Sequence, residues 1–162
     1  MFEAQTEWIS PESFPDLKDH KYIAIDLETR DPNLKSRGSG ALISDGEIVG
    51  IAVAVEGWSG YYSFGHKEGN FFDEAVVMRW IKEVCALPNV KLFHNAMYDV
   101  CWLRAYGVQI NGHIVDTMVM ASLIDENRFF YSLNSLSIDY LGQVKDETAL
   151  RAAADKAGID AK

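Results

Sequence analysis

Three closely spaced apolar segments in the first half of the chain constrain its fold more than any other feature. KYIAID (21–26), EIVGIAVAVEG (47–57) and GYYSFG (60–65) are short, rich in β-branched and aromatic residues, and separated by turn residues, which predicts three strands. The short link EGWSG predicts a hairpin between the second and third strands. We therefore expect an antiparallel meander, with Gly50 at a bulge or a point of close packing.

A helix and a fourth strand follow the meander. Over residues 73–87 apolar side chains recur at helical spacing, with Asp73 at the predicted cap and Pro88 just past the end. VKLFHN (90–95) then predicts a short strand. If that strand joins the sheet beside the first one, the connection through the helix is a right-handed crossover. The sequence thus predicts an α/β fold, in which a mixed sheet of an antiparallel meander plus a parallel strand has flanking helices.

The remaining segments are predicted to be helical or irregular. Helices are expected at 97–107, 113–125, 132–142 and 146–158, a long loop at 30–46, and a loosely ordered N-terminal segment at 1–20. The length of 162 residues and the apolar fraction of 48% fit one domain, 1–162, with a substantial core.

The net charge of −9 excludes a protein that binds nucleic acid through a broadly basic surface. If the chain handles nucleic acid, it needs cations at the site, a local basic patch or another domain. Neither a membrane-spanning apolar run nor a signal peptide is present, so we expect no membrane association and a cytoplasmic location. The two cysteines, Cys85 and Cys101, lack metal-ligand spacing and are expected to be reduced thiols.

Two acids lie at the end of the first strand. Asp26 and Glu28 are two residues apart, so both side chains project from the same face of the sheet. Like charges at that range raise each other's pKa unless a cation compensates them. A ligand set made only of oxygen favours Mg²⁺, Mn²⁺ or Ca²⁺ over zinc. Taken alone, however, the pair fits solvent-facing acids at a strand end better than a site.

A third acid strengthens the metal interpretation. Asp99 is the one acidic residue in the apolar and aromatic run KLFHNAMYDVCWL (91–103), and it falls in the first turn of a predicted helix. An acid at that position is ordinarily favoured by the helix dipole alone. If the fourth strand lies beside the first, Asp99 reaches the same sheet edge as Asp26 and Glu28. The three carboxylates would then meet at one place.

The same segments resemble the motifs of a known family. IAIDLET is similar to the first motif of the DEDD-superfamily 3′-5′ exonucleases, and FHNAMYDVCWL is similar to the second. VDTMVMASLID and SLNSLSIDYLG resemble segments that accompany these motifs in the proofreading domains of family-A DNA polymerases, bacterial and phage. The resemblance runs from about Tyr22 to Gly142. It implies a ribonuclease-H-like fold and hydrolysis of the 3′-terminal phosphodiester bond with two Mg²⁺ or Mn²⁺ ions.

The resemblance also implies roles for particular residues. The catalytic and metal-binding residues are Asp26, Glu28 and Asp99. Thr29, Asn95 and Tyr98 match positions that lie beside the terminal nucleotide of the substrate. The implied partners are a DNA 3′ end, single-stranded or frayed, and a DNA polymerase domain in the same or another chain.

Two further segments are candidates for substrate contact. Lys35 and Arg37 lie in the loop after the first motif, where they either contact phosphate or are simply solvated charges. The aromatic run RFFY (128–131) could stack on a frayed base, although core packing is the interpretation that the sequence favours.

The family also has a third motif, Tyr-x-x-x-Asp or His-x-x-x-x-Asp, which supplies a fourth acid. After the second motif, no tyrosine of this chain is followed four residues later by aspartate. Ser135 stands at that distance from Tyr131, and Val144 stands at that distance from Tyr140. We therefore expect a domain that lacks its C-terminal part and has weakened activity. The alternative is a catalytically silent module of the same fold, which binds nucleic-acid ends or docks onto a polymerase.

Overall fold

The computed structural model describes residues 9–144, 148, 151 and 152. Residues 10–126 form one compact unit, which contains the whole five-stranded sheet. Ile9 and the described residues from 127 onward belong to a second unit. Most of the predicted helix at 146–158 lies outside the described residues, and the single-domain organisation stays a prediction.

The sheet is mixed, as the sequence predicts. Its strands are β1 (Tyr22–Arg30), β2 (Glu47–Val55), β3 (Trp58–Ser63), β4 (Val90–Phe93) and β5 (Ile114–Asp116). They lie in the order β3-β2-β1-β4-β5. The first three strands pair antiparallel, whereas β4 pairs parallel with β1 and β5 pairs parallel with β4. The predicted meander and the parallel neighbour of β1 are both confirmed.

Two local predictions are wrong. The segment 113–125 is not one helix, because Ile114–Asp116 forms the edge strand β5 and α4 (Thr117–Ile124) begins only after it. The side chain of Asp116 accepts the amide N–H groups of Met118 and Val119, which fixes the helix start at that point. The predicted loop 30–46 contains α1 (Leu34–Arg37) and a short 3₁₀ helix (Gly40–Leu42).

The other helices match the sequence pattern closely. They are α2 (Glu74–Ala86), α3 (Ala96–Ala105) and α5 (Leu133–Leu141), the last of which lies in the second unit. Asp73 caps α2 as predicted, accepting the N–H groups of Ala75 and Val76. Gly142 ends α5 with a φ of 65°, a left-handed conformation that glycine adopts without steric cost. Within the described residues, no helix is long and apolar enough to cross a lipid bilayer.

The hydrophobic core lies on one face of the sheet and against α2 and α3. Alternate residues of β1 face this core and are buried: Ile23, Ile25 and Leu27. Their neighbours on β2 and β3 and the apolar sides of the two helices complete the cluster: Ile51, Val53, Tyr62, Val77, Trp80, Ile81, Val84, Trp102 and Leu103. Each fully buried aliphatic side chain contributes roughly 1.5–3 kcal/mol. Because side chains alternate along a strand, the residues between them project from the opposite face.

Two further features anchor β4 and the chain before β1. Lys91 is fully buried, and its ammonium group donates to the carbonyl groups of Leu87, Asn89 and Asn111. Leu17, in the predicted loosely ordered segment, is also buried in the core. Residues 9–20 nevertheless contain no helix or strand. Both cysteines are free.

Candidate active site

Asp26 and Glu28 project from the face of the sheet opposite the core. The buried residues Ile25 and Leu27 alternate with these two exposed acids along β1. In the antiparallel register Asp26 pairs with Ala52, and Glu28 pairs with Gly50. The sheet thus presents both carboxylates on one side, next to small residues of β2, as the D-x-E spacing predicts.

Asp99 meets the same strand from α3. Its Oδ1 accepts the amide N–H of Leu27 at 3.2 Å, so the carboxylate lies against the backbone between Asp26 and Glu28. The position follows from the topology, because β4 pairs with β1 only as far as Ala24 and ends at Phe93. Beyond that point the first turn of α3 takes the place of the strand. Asp99 therefore lies against the strand that carries Asp26 and Glu28, which is the place expected from the parallel β4–β1 pairing.

The electrostatics of Asp99 differ from those of a surface acid. Its side chain is 4% exposed. Burial raises the pKa of Asp99 to about 7, and the negative charge of Asp26 adds to this rise. Backbone N–H groups of Leu27 and of Asp99 itself act in the opposite direction without cancelling it. A positive charge beside these carboxylates would favour the ionised form of Asp99.

The donor set fits a hard divalent cation in its chemistry. Asp26, Glu28 and Asp99 offer only carboxylate oxygens, which suit Mg²⁺ or Mn²⁺. Burial and the charge of Asp26 raise the pKa of Asp99, so a bound cation would favour its ionised form. Among the described residues, however, no three His, Cys, Asp or Glu side chains already stand together in metal-ligand geometry. The acids share an edge without being closed around an ion.

Asp116, an acid that the sequence analysis did not place in the site, holds the turn from which α3 begins. Its carboxylate accepts the N–H groups of Asn95 and Ala96 at 3.1 and 2.8 Å, in addition to those of Met118 and Val119. Burial favours the neutral acid, but these four donors outweigh it and hold the pKa of Asp116 below its usual value. One side chain thus caps both α3 and α4.

Asn95 needs that support because it adopts an unusual backbone conformation. Its φ is 68° and its ψ is 54°, in the left-handed region that non-glycine residues seldom occupy. Asn95 is the N-cap residue of α3, but its side chain makes no capping hydrogen bond, and its own N–H is donated to Asp116. Asn95, which is predicted to bind substrate, is exposed in the turn between β4 and α3.

Thr29 and Tyr98 lie in direct contact. Their hydroxyl groups are 2.6 Å apart, and the Tyr98 hydroxyl also donates to Asp31 Oδ2 at 3.2 Å. Asp31 in turn accepts the N–H of Gly40, so this network connects α3 to the chain that follows β1. Two of the three residues predicted to lie beside the terminal nucleotide are therefore joined to each other.

The two predicted phosphate contacts lie on α1 and are exposed. Arg37 forms an ion pair with Asp45, at 3.4 Å between Nη1 and Oδ2. Lys35 is also exposed on this short helix. The expectation of core packing for the RFFY run is wrong for its two phenylalanines, since Phe129 is 92% and Phe130 is 73% exposed. They belong to the second unit.

Tyr61 and His66 also lie on the face that carries the acids, and the sequence analysis missed them. Tyr61 pairs with Ala52, which pairs with Asp26, so the three residues form a row across three strands. The Tyr61 hydroxyl is 2.6 Å from His66 Nε2. Burial raises the pKa of Tyr61 to about 12, and the charges of Glu28 and Asp26 contribute to the rise. The glycine inside β2 was the available signal, because Tyr61 lies across it.

Comparison with known proteins agrees with this geometry. The family model for the 3′-5′ exonuclease of family-A DNA polymerases matches residues 4–159. A DNA-directed DNA polymerase of Pseudomonas phage M6 is 31% identical over 97% of this chain. The chain spans 25% of that polymerase.

Solved structures of other nucleases share the fold. Brucella melitensis NrnC with bound Mg²⁺ superposes with a TM-score of 0.59 at 14% identity, over 83% of this chain and 61% of its own. Escherichia coli RNase D, an exoribonuclease involved in structured RNA processing, superposes with a TM-score of 0.57 at 16% identity, over 82% and 31%. The predicted ribonuclease-H-like fold is thereby confirmed. By the match of the family model over nearly its whole length, the chain belongs to the 3′-5′ exonuclease family of family-A DNA polymerases.

Proposed function

We propose that this chain is a metal-dependent 3′-5′ exonuclease domain of the proofreading type, which removes nucleotides from DNA 3′ ends. The observation that carries the proposal is the hydrogen bond from the Leu27 N–H to Asp99, which brings a buried acid between the two acids of β1. Phage DNA polymerases among the relatives favour DNA as the substrate and a polymerase domain as the partner. They also favour action in the cytoplasm of the host cell.

Asp26, Glu28 and Asp99 would hold the metal. We propose Mg²⁺ or Mn²⁺, two ions in the complete family site, and a structure of the similar nuclease NrnC contains Mg²⁺. When bound, such ions supply an activated water and stabilise the charge on the leaving oxygen. In this proposal Asp26 and Asp99 would hold the ions, and Glu28 would orient the water. Asp99 would be ionised in this state, because the cations offset the burial and repulsion that raise its pKa.

The neighbouring side chains suit a nucleotide. Thr29 and Tyr98 present linked hydroxyl groups beside the acids, and Asn95 is exposed at the start of α3. We propose that these three residues contact the terminal nucleotide. Lys35 on α1 would contact phosphate, whereas Arg37 would first have to leave its ion pair with Asp45. That pair is exposed, so breaking it costs about 1 kcal/mol or less.

A quantitative nuclease assay tests this function. The chain is incubated with a 5′-labelled single-stranded oligonucleotide and Mn²⁺, and the products are resolved at single-nucleotide length. A 3′-5′ exonuclease gives a ladder that shortens from the 3′ end, with release of mononucleotides. We expect the turnover to be slow, because no tyrosine after the second motif is followed four residues later by aspartate, as the third motif requires. Chelator and the variant Asp26→Asn should each abolish it. Turnover that persists in chelator would contradict the proposal.

A silent module of the same fold is the second candidate. The observation in its favour is that no three potential ligands among the described residues stand in metal-ligand geometry. Such a module would bind DNA ends or a polymerase equally well with and without chelator. Electrophoretic mobility of a labelled oligonucleotide at fixed ionic strength, with Mn²⁺ or with chelator, separates the two candidates.

A further inference from the structure

The side chain of Tyr61 lies over Gly50 of β2, in the space that the side chain of any other residue at position 50 would fill. A Cβ built on Gly50 would lie 2.0 Å from the Tyr61 hydroxyl oxygen, 2.5 Å from Cζ and 2.7 Å from Cε2. No real Cβ tolerates such contacts, so the ring lies directly on the glycine backbone. Gly50 is needed here for close approach and not for a left-handed backbone, because its φ is not positive.

This position brings the hydroxyl within reach of Glu28. Gly50 is the cross-strand partner of Glu28, and directly opposed Cβ positions on neighbouring antiparallel strands are about 4.5–5.5 Å apart. Since the Tyr61 hydroxyl oxygen lies 2.0 Å from the position that the Cβ of Gly50 would take, its distance from the Cβ of Glu28 equals that spacing to within about 2 Å. The carboxylate oxygens of a glutamate lie three bonds beyond its Cβ, which is enough to close such a gap to a hydrogen bond.

His66 fixes the hydroxyl from the other side. Its Nε2 is 2.6 Å from the Tyr61 hydroxyl. The His66 backbone is held in turn by Asn70, whose side chain accepts the His66 N–H at 2.8 Å and donates to its carbonyl at 2.6 Å. The hydroxyl is thus placed between a held imidazole and the acidic edge of β1. Burial first, and then the charges of Glu28 and Asp26, raise the pKa of Tyr61 and keep the phenol protonated. With His66 Nε2 donating to the phenol oxygen, the hydroxyl proton can be donated to a carboxylate.

We propose that Tyr61, held by His66 and seated on Gly50, is a positioning residue of the active site that donates a hydrogen bond to the Glu28 carboxylate. A carboxylate on an exposed strand end has several rotamers, and one fixed donor selects the orientation in which its remaining oxygen lone pairs face Asp26 and Asp99. The role of the contact in catalysis rests on the proposed exonuclease function, whereas the contact itself does not.

The neighbouring residue provides a matched control. Tyr62 faces the core instead, where its hydroxyl donates to the carbonyl of Ser13 at 2.8 Å. Burial raises its pKa to about 12 as well. Tyr61→Phe and Tyr62→Phe therefore remove the same atom from adjacent residues on opposite faces of one strand.

The direct test is ¹³C NMR of chain labelled at the glutamate carboxyl carbons, at one fixed pH and without metal. The Glu28 resonance is identified by its loss in Glu28→Gln. We expect it to shift in Tyr61→Phe and to stay in place in Tyr62→Phe. Gly50→Ala keeps the hydroxyl but displaces it, so the resonance should shift there too. An unmoved resonance in Tyr61→Phe, or an equal shift in Tyr62→Phe, would overturn the proposal.

Turnover measures the consequence for catalysis. Loss of a hydrogen bond to a charged group lowers a rate by roughly tenfold or more, so we expect kcat to fall about tenfold in Tyr61→Phe with KM changed less than about twofold. His66→Gln, which retains a polar group, should fall less than His66→Ala. A Tyr61→Phe variant with unchanged kcat would refute the positioning role. If the unmodified chain has no activity, the proposed function fails, and the NMR shift still decides whether the contact exists.

Discussion

Asp99 lies in the first turn of α3 and Asp116 caps the start of that helix, and the two carboxylates have opposite surroundings. Asp116 accepts four backbone N–H groups from the starts of α3 and α4, and its pKa is lowered. Asp99 accepts the N–H of Leu27, lies near Asp26, and has its pKa raised to about 7. Two acids in the same corner of the fold therefore have opposite electrostatic preferences.

The difference indicates that Asp116 stabilises the fold, whereas the charge of Asp99 does not. Asp116 is satisfied by the protein itself, because four donors stabilise its charge. Asp99 is buried near a like charge, so its ionised form is less favourable than that of an exposed aspartate and would gain from a bound cation. Groups with strongly raised or lowered pKa in such surroundings concentrate at functional sites. Asp116, which caps α3 and α4, and Asp99, which lies near Asp26, should therefore respond differently to mutation, pH and metal.

The largest expected effect is on activity. Asp99→Asn removes one carboxylate with little change in shape, and we expect the nuclease rate to fall roughly 10²–10³-fold, as when other preorganised charges are removed from active sites. In chelator at pH 8 the same variant should be at least as stable as the parent chain, because a buried charge has gone. The assay is mononucleotide release, paired with urea unfolding.

Asp19→Asn is the matched control, since Asp19 is an exposed aspartate before β1. It should alter neither rate nor stability. Full activity in Asp99→Asn would show that this acid is dispensable, and a large loss of stability at pH 8 would assign it to the fold.

The pH dependence of stability should follow. Asp99 titrates at about 7 in the folded chain and near 3.9 when unfolded. Between these values the folded state binds the proton more tightly, so stability in chelator falls as pH rises, by at most about 1.4 kcal/mol per pH unit. Asp116 has the opposite sign, and its contribution is lost only as pH falls through its lowered pKa. Urea unfolding from pH 3 to 8 measures both.

Asp99→Asn supplies the comparison for this pH series. The fall in stability between about pH 4 and 7 should flatten in the variant and should also be reduced when Mn²⁺ replaces chelator. An identical pH profile in parent and variant would contradict the assignment.

Substitution of the helix-capping Asp116 should lower stability instead of activity. Asp116→Ala leaves four N–H groups without their acceptor, and each lost cap costs about 1 kcal/mol, so we expect about 2 kcal/mol in total. Asp116→Asn keeps one acceptor oxygen and should cost less. Urea unfolding at pH 7 gives the values. A loss of unfolding free energy below about 0.5 kcal/mol for Asp116→Ala is the range of ordinary surface changes. It would contradict the proposed contrast between Asp116 and Asp99.

The smallest effect is expected at the nucleotide contact. Tyr98→Phe removes the bonds to Thr29 and Asp31, which should raise KM for the oligonucleotide several-fold and cost about 1 kcal/mol of stability. Tyr106→Phe is the control, because that hydroxyl accepts the Ile48 N–H at the other end of α3. It should cost similar stability with unchanged KM. Equal KM values in the two variants would place Tyr98 outside the substrate path.

Local sequence signals were enough for much of the fold. The β-branched and aromatic content of KYIAID predicted β1. Asp73 marked the start of α2 because capping depends on residues only a few positions apart. The fourth strand was expected beside the first, with the helix between them as a right-handed crossover, and β4 does pair parallel with β1. That expectation also placed Asp99 near Asp26 and Glu28.

Features that depend on tertiary contacts were not predictable in the same way. β5 has only three residues and continues into α4, so its apolar pattern merges with the helical one. The capping of α3 by Asp116 joins positions about twenty residues apart. Tyr61 reaches Gly50 across a hairpin, and Phe129 and Phe130 are exposed despite their hydrophobicity.

Thermal unfolding across a Mn²⁺ titration tests the central claim most directly, because a ligand that binds only the folded state raises stability in a saturable manner. For the parent chain we predict a saturable rise in Tm that chelator reverses, and for Asp26→Asn, Glu28→Gln and Asp99→Asn a rise that is strongly reduced. No rise in the parent chain, or an equal rise in all four proteins, would mean that these acids do not form a cation site.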